Sequence, residues 1–238
     1  MTAPAIEVHN LTKSYRGREA LSNLDLTLDE GKIVGLMGDN GSGKTTLLKI
    51  LAGVLADWSG TVHIAGHTPG PESKALVSFL PDQSFLPDRH KPEDSIAQYA
   101  QFFTDFDESK ARDMVDFFAL PWDRTLKEMS KGMREKLQIA LAMSRKARVY
   151  LLDEPISGVD PASRDVILRG IIREFSDNSL LLMSTHLIHD VESVVDSVVF
   201  MRAGRVELTG DADALRAEHG WIMDIYLLRP AGTTDAGD

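Results

Sequence analysis

The sequence predicts an α/β fold with a largely parallel sheet and a helical lobe inserted into it. Three observations point there: short, almost wholly apolar runs separated by turn residues, a glycine-rich loop between one such run and a helix start, and a middle stretch whose apolar residues recur at helical spacing. Strands covered on both faces by helices should be apolar throughout rather than alternating. Such runs occur at Ile6-Glu7-Val8, Leu24 to Leu28, Lys32 to Leu36, Thr61 to Ile64 and Ala75 to Leu80, then Val149 to Leu152, Leu180 to Ser184, Val198 to Met201 and Arg205 to Leu208. Turn residues such as Asp29-Glu30-Gly31 divide them. Between about Gln83 and Lys146 the period changes, with Ile96, Tyr99, Phe103 and Phe106, then Met114, Val115 and Phe118, then Met133, Leu137, Ala140 and Leu141 at helical spacing. That aromatic stripe is expected to be the lobe's packing face. A capped helix is expected from Asp211, and Ala231 to Asp238, small and polar, is expected to fray.

Gly38-Asp39-Asn40-Gly41-Ser42-Gly43-Lys44-Thr45 matches G-x-x-x-x-G-K-[ST] directly after the apolar run Ile33 to Met37, and Thr46 follows it. Glycines let the backbone bend round a phosphate chain, so that successive N–H groups and the next helix's N-terminus face negative charge. Lys44 would reach the β/γ-phosphates and Thr45 would offer its hydroxyl to Mg²⁺. About a hundred residues on, the apolar run ending in Asp153-Glu154 supplies the other need of a Mg²⁺-nucleotide site. One carboxylate can hold the ion's water shell while the next polarises an attacking water. Ser130, a good N-cap, and Gly132, which lets a phosphate approach, mark a further helix N-terminus suited to an anion.

Bulk properties narrow the function classes. The chain has 238 residues, 43% of them hydrophobic, enough for one substantial core with a smaller lobe attached. With no cysteine, disulfides, thiolate metal sites and cysteine nucleophiles are excluded. A net charge of −10 argues against a general nucleic-acid binder. Apolar runs are short and no basic-then-apolar signal opens the chain, so a cytoplasmic protein that meets a membrane only through a partner is expected.

Together these motifs resemble the ATP-binding cassette (ABC) ATPases, the nucleotide-binding subunits of ABC transporters, over about residues 5 to 215. Met129-Ser130-Lys131-Gly132-Met133 is similar to the family signature L-S-G-G-Q, departing from it at Met129, Lys131 and Met133 and keeping Ser130 and Gly132. Its Ser-Lys-Gly-Met form resembles exporter-type bacterial subunits. Ser157-Gly158-Val159-Asp160 resembles the loop that crosses the family's dimer interface, and Ser184-Thr185-His186 its switch histidine. Tyr15 stands where the family places an aromatic under adenine, a stack of ~1 to 3 kcal/mol by comparison with bases on aromatic side chains. In the glutamine loop, Phe79-Leu80-Pro81-Asp82-Gln83, the residue after the proline is Asp82, with Gln83 as its rival for the Mg²⁺-ligating role. His189, three residues beyond His186, has no third metal ligand nearby in sequence.

The resemblance implies a P-loop NTPase (RecA-like) core with an antiparallel β subdomain and an inserted α-helical subdomain. The expected divisions are 1–82 with 147–215 for the core, 83–146 for the helical signature subdomain and 216–238 for a partly disordered C-terminal extension. It further implies ATP and Mg²⁺ as ligands. Glu154 is the expected general base and His186 the γ-phosphate sensor, with Ser130, Gly132 and Asp160 acting across a homodimer. A separate integral-membrane permease is the expected partner, and the chain should sit at the inner face of the cell membrane through it. Two other readings stay open: a soluble ABC ATPase acting on nucleic acid or ribosomes, and an ATP-binding regulatory module without turnover.

Overall fold

Alternation along the central strands shows how the sheet is covered. In the computed structural model, which describes residues 4–219, β3 (Lys32–Met37) sends Val34 and Leu36 into one hydrophobic cluster and Ile33 and Met37 into another. β6 (Val149–Asp153) and β7 (Leu180–Thr185) divide in the same way: Val149, Leu151, Leu180 and Leu182 face one cluster, Tyr150, Leu152, Leu181 and Met183 the other. Strands apolar on both sides need a layer on each, and that is why these runs show no polar face. Burying each such side chain contributes roughly 1.5–3 kcal/mol.

In chain order, β1 (Ile6–Tyr15) and β2 (Arg18–Leu28) precede β3, and α1 (Lys44–Leu51), β4 (Ser59–Ile64), α2 (Pro71–Leu76) and β5 (Val77–Leu80) follow it. Next come the lobe helices α3 (Pro92–Phe102), α4 (Glu108–Phe117) and α5 (Lys131–Met143), with a short 3-10 turn at Leu126–Glu128. After β6 run α6 (Pro161–Glu174), β7, α7 (Ile188–Val191), β8 (Ser197–Arg202), β9 (Arg205–Asp211) and α8 (Ala212–His219). One sheet is antiparallel, in the order β2-β1-β4; the other has six strands in the order β5-β6-β7-β3-β8-β9 and is parallel except for the β8–β9 hairpin.

Two expectations change in detail. The run Ala75 to Leu80 is not all strand: Pro71 at the first helical position starts α2, which ends at Leu76, and β5 begins only at Val77, where the backbone turns extended. Helical spacing also overshoots in the lobe, because α3 stops at Phe102 with Phe103 as an extended C-cap. Phe103 and Phe106 nevertheless pack their rings on Tyr99, with centroids 5.2 and 5.4 Å away, so the aromatic stripe is a packing face after all. The expected helix from Asp211 starts at Ala212, with Asp211 Oδ1 accepting from the Ala214 N–H. The stretch Ala231 to Asp238 lies outside the described residues.

Sheet and lobe share one hydrophobic cluster, and a buried arginine adds polar contacts between them. Arg145 pairs with Asp105 of the lobe at 3.0 Å and donates to the Val77 and Ala75 carbonyls beside β5, while its guanidinium lies 4.1 Å over the Phe103 ring. A planar five-donor fork suits a junction of this kind. β5 leads from there straight towards Asp82.

Candidate functional site

Strand order brings the distant motifs together. β6, β7 and β3 are neighbours, with Asp153 opposite Ser184 and Met37 opposite Thr185, so the glycine loop, the acidic pair and His186 all leave the carboxyl ends of adjacent parallel strands. In open α/β sheets that edge is where ligands bind. There lies a cleft of about 490 Å³ lined by residues that include Tyr15, Asn40 to Thr46, Asp82, Glu154 and His186.

The loop's glycines are needed for conformation, and Gly38 and Gly43 for space as well. Gly38, Gly41 and Gly43 have φ of 151°, 84° and 107°. A Cβ at Gly38 would collide with the Met201 carbonyl, and one at Gly43 would sit 2.6 Å from the Ala20 carbonyl. Gly43 is the N-cap of α1 and has no side chain to offer its exposed N–H groups, which leaves that end for an anion. Lys44 is buried; its Nζ donates to the carbonyls of Gly38 (2.7 Å) and Asp39 (3.1 Å) and lies 3.8 Å from Glu154 Oε1. Burial pushes the lysine below its ordinary pKa, against the opposing pull of Glu154, Asp153 and Asp39. A cation so poorly hydrated gains from a polyphosphate.

Asp153 is 1% exposed. Its Oδ1 accepts from Thr45 Oγ1 at 3.1 Å and Ser184 Oγ at 2.7 Å, while Oδ2 is buried without a hydrogen-bond partner. Burial raises its pKa; the Ser184 and Thr45 hydroxyls oppose this and Asp82 adds to it. An orphaned carboxylate oxygen beside a threonine hydroxyl is a hard oxygen set that fits Mg²⁺, which keeps several waters and needs few protein ligands. Among the described residues no group of three or more His, Cys, Asp or Glu could hold a metal ion, so Mg²⁺ would depend on the nucleotide's own oxygens as well.

Glu154 has a left-handed backbone, φ 52°, an uncommon conformation for a residue with a Cβ and one that clusters at functional sites. Its N–H donates to Ser184 Oγ (3.0 Å), and its carbonyl accepts from the Ser157 N–H (3.1 Å). Its Oε2 lies 2.8 Å from His186 Nδ1. Ser184 therefore orients both acids, a role its sequence position did not reveal.

The other expected residues divide. Asp82 lines the cleft and Gln83 is not among its walls, although both are exposed. Tyr15, 45% exposed at the end of β1, lines the cleft with Lys13 Nζ 5.2 Å from its ring centre. Ser130 caps α5 by accepting from the Met133 N–H at 3.3 Å, and Asp160 caps α6 by accepting from the Ser163 N–H at 3.0 Å; neither lines this chain's own cleft. Gly132 packs towards Val159 and Ser163. Lys131 and Glu135, one turn apart on α5, do reach the cleft, and burial pushes the Glu135 carboxyl up. Their signal in the sequence was a lysine in place of the signature's first glycine with a carboxylate four residues on.

The fold and this cleft define a P-loop ATPase cassette, and the relatives agree. The profile of the ABC transporter family matches residues 21–157, and the chain belongs to that family. It is 31% identical over 223 residues to the uncharacterised ABC transporter ATP-binding protein YxlF of Bacillus subtilis, covering 90% of this chain and 73% of that protein. To the daunorubicin resistance ATP-binding protein DrrA3 of Streptomyces coeruleorubidus it is 28% identical over 245 residues, covering 99% and 77%. A solved ATP-binding subunit of an ABC transporter superposes with a TM-score of 0.81 at 26% identity, covering 94% of this chain and 98% of that one. The chain is an ATP-binding, ATP-hydrolysing subunit of the ABC transporter class. Among the described residues no helix is long and apolar enough to cross a membrane.

Proposed function

We propose that this chain powers a bacterial exporter-type ABC transporter as a homodimer held at the inner face of the membrane by a separately encoded permease. One observation carries the reading: Ser130 and Gly132 lie outside the cleft formed by the chain's own glycine loop. A second copy can supply them, so that each ATP is sandwiched between the glycine loop of one subunit and the α5 N-terminus of the other. Bound γ-phosphate then favours the closed pair, and its loss releases it. The export direction is supported by the Ser-Lys-Gly-Met signature and by the drug-resistance relative.

Within one cleft, the glycine loop and Lys44 would hold the phosphates, Tyr15 would stack on the base, and Thr45 and Asp153, with Asp82 nearby, would hold Mg²⁺. Bound Mg²⁺ would neutralise charge on the phosphate chain. Glu154 is the group placed to take a proton from the attacking water. Its Oε2 is held 2.8 Å from His186 Nδ1, which fixes the carboxylate and leaves Oε1 as an acceptor for that proton. Glu154→Gln with MgATP tests the whole reading. Light scattering should show a monomer-to-dimer shift that a Ser130→Ala change weakens; ATP binding without any shift would overturn the sandwich.

A further inference from the structure

Glu154 and His186 come from different strands, and a closed ring of contacts holds their segments together behind the cleft. From Glu154 the chain returns through the Ser157 N–H, which donates to the Glu154 carbonyl at 3.1 Å, to Val159. From His186 it runs through Leu187, whose N–H donates to Thr185 Oγ1 at 2.9 Å, to Asp190, whose N–H donates to the Leu187 carbonyl at 3.2 Å. Arg164, in the first turn of α6, closes the ring: Nε donates to the Val159 carbonyl at 2.8 Å and Nη1 to Asp190 Oδ2 at 2.7 Å.

Both side chains are largely covered, at 22% exposure for Arg164 and 33% for Asp190. An exposed ion pair would contribute little, because solvent screens it and two side chains must be immobilised. Here the rigid guanidinium makes a charge-assisted bond to one segment and a backbone bond to the other, fixing their separation as well as their attraction. Neither residue lines the cleft.

We infer that Arg164 and Asp190 are positioning residues: they hold the segment carrying His186 in register with the loop that follows Glu154, and so set the Glu154–His186 contact on which hydrolysis depends. This rests on the reading of Glu154 and His186 as the hydrolytic pair. Removing an outer-shell partner of a metal ligand typically costs about 10–100-fold, and by analogy a loss at the low end of that range is expected for these positioning residues.

The test is a pair of double-mutant cycles on the full chain. Arg164→Met and Asp190→Asn are each made alone and on a His186→Ala background, with kcat, KM and equilibrium ATP binding measured for every form. Alone, each should lower kcat about tenfold with KM and binding within about twofold, and Arg164→Lys should recover part of the loss. On the His186→Ala background neither should cost anything more. Parent-like kcat, a matching loss of binding, or losses that add to that of His186→Ala would overturn the inference. A His186→Ala chain that hydrolyses like the parent would overturn the histidine's role, and this inference with it. Asp190→Asn is nearly isosteric, so it serves even if Arg164→Met folds poorly.

Discussion

On the floor of the cleft, Lys44, Asp153 and Ser184 are buried and tied to named partners, whereas on the lobe side Asp82, Gln83 and Ser130 stand exposed. The floor is built by three adjacent strands whose register is set by continuous ladders. The lobe side is built by a loop and a helix end, although the lobe helices share one hydrophobic cluster with a face of the sheet. Within one molecule, then, half of the site is preorganised and half is presented outward. A preorganised half can bind nucleotide by itself; the outward half needs something to close on.

The largest effect is expected at Glu154. Glu154→Gln should slow hydrolysis by roughly 10²–10⁴-fold, the range for loss of a positioned base, while leaving ATP binding intact. Unchanged turnover in a steady-state assay would show that the left-handed backbone there serves another purpose. Next comes the junction. Arg145→Met strands Asp105 and frees two carbonyls, and should cost about 3 kcal/mol in urea unfolding, at the lower end for a broken buried pair because Asp105 is part-exposed.

Lys44→Met should weaken ATP binding by about 1.5–3 kcal/mol, the scale of a charge-assisted hydrogen bond, as read by titration calorimetry. The same variant also reports on the burial of the amine. Because the folded state holds the lysine pKa below 10.5, the unfolded chain binds more protons over that interval and the parent gains stability as pH rises through it. Below the lowered pKa the penalty on the charged amine is present in full. The stability of the nucleotide-free parent should therefore rise relative to Lys44→Met as pH climbs towards 10.5; a constant difference would contradict the burial argument. The smallest effect belongs to the outward half. Ser130→Ala removes one helix cap and should cost about 1 kcal/mol of stability, yet it should weaken ATP-driven dimerisation of the Glu154→Gln chain. Normal dimerisation would place the partner's contact elsewhere.

Much of the floor was legible because its chemistry is local. Gly38 to Thr45 form a contiguous pattern, and the left-handed torsions at Gly38, Gly41 and Gly43 are ones that glycine adopts at little cost. Asp153 and Glu154 ended a visibly apolar strand. Ser184 was visible only as part of a motif, and Arg164 and Asp190 not at all, because their partners lie 26 to 31 positions away and nothing in a linear chain marks which serine or arginine will meet them. Lys131 and Glu135 showed helical spacing but not that their helix faces the cleft.

By itself, then, the sequence determined the glycine loop, the acidic strand end, the apolar strands and the period of the lobe, since these follow from torsional freedom and from side-chain spacing within a few residues. Tertiary structure alone decided that β6, β7 and β3 lie side by side, that Ser184 bonds to Asp153 while accepting from the Glu154 N–H, and that Ser130 misses its own cleft. Strand order and lobe placement arise from packing across the whole core, where each element's apolar face finds the one arrangement that buries all of them together.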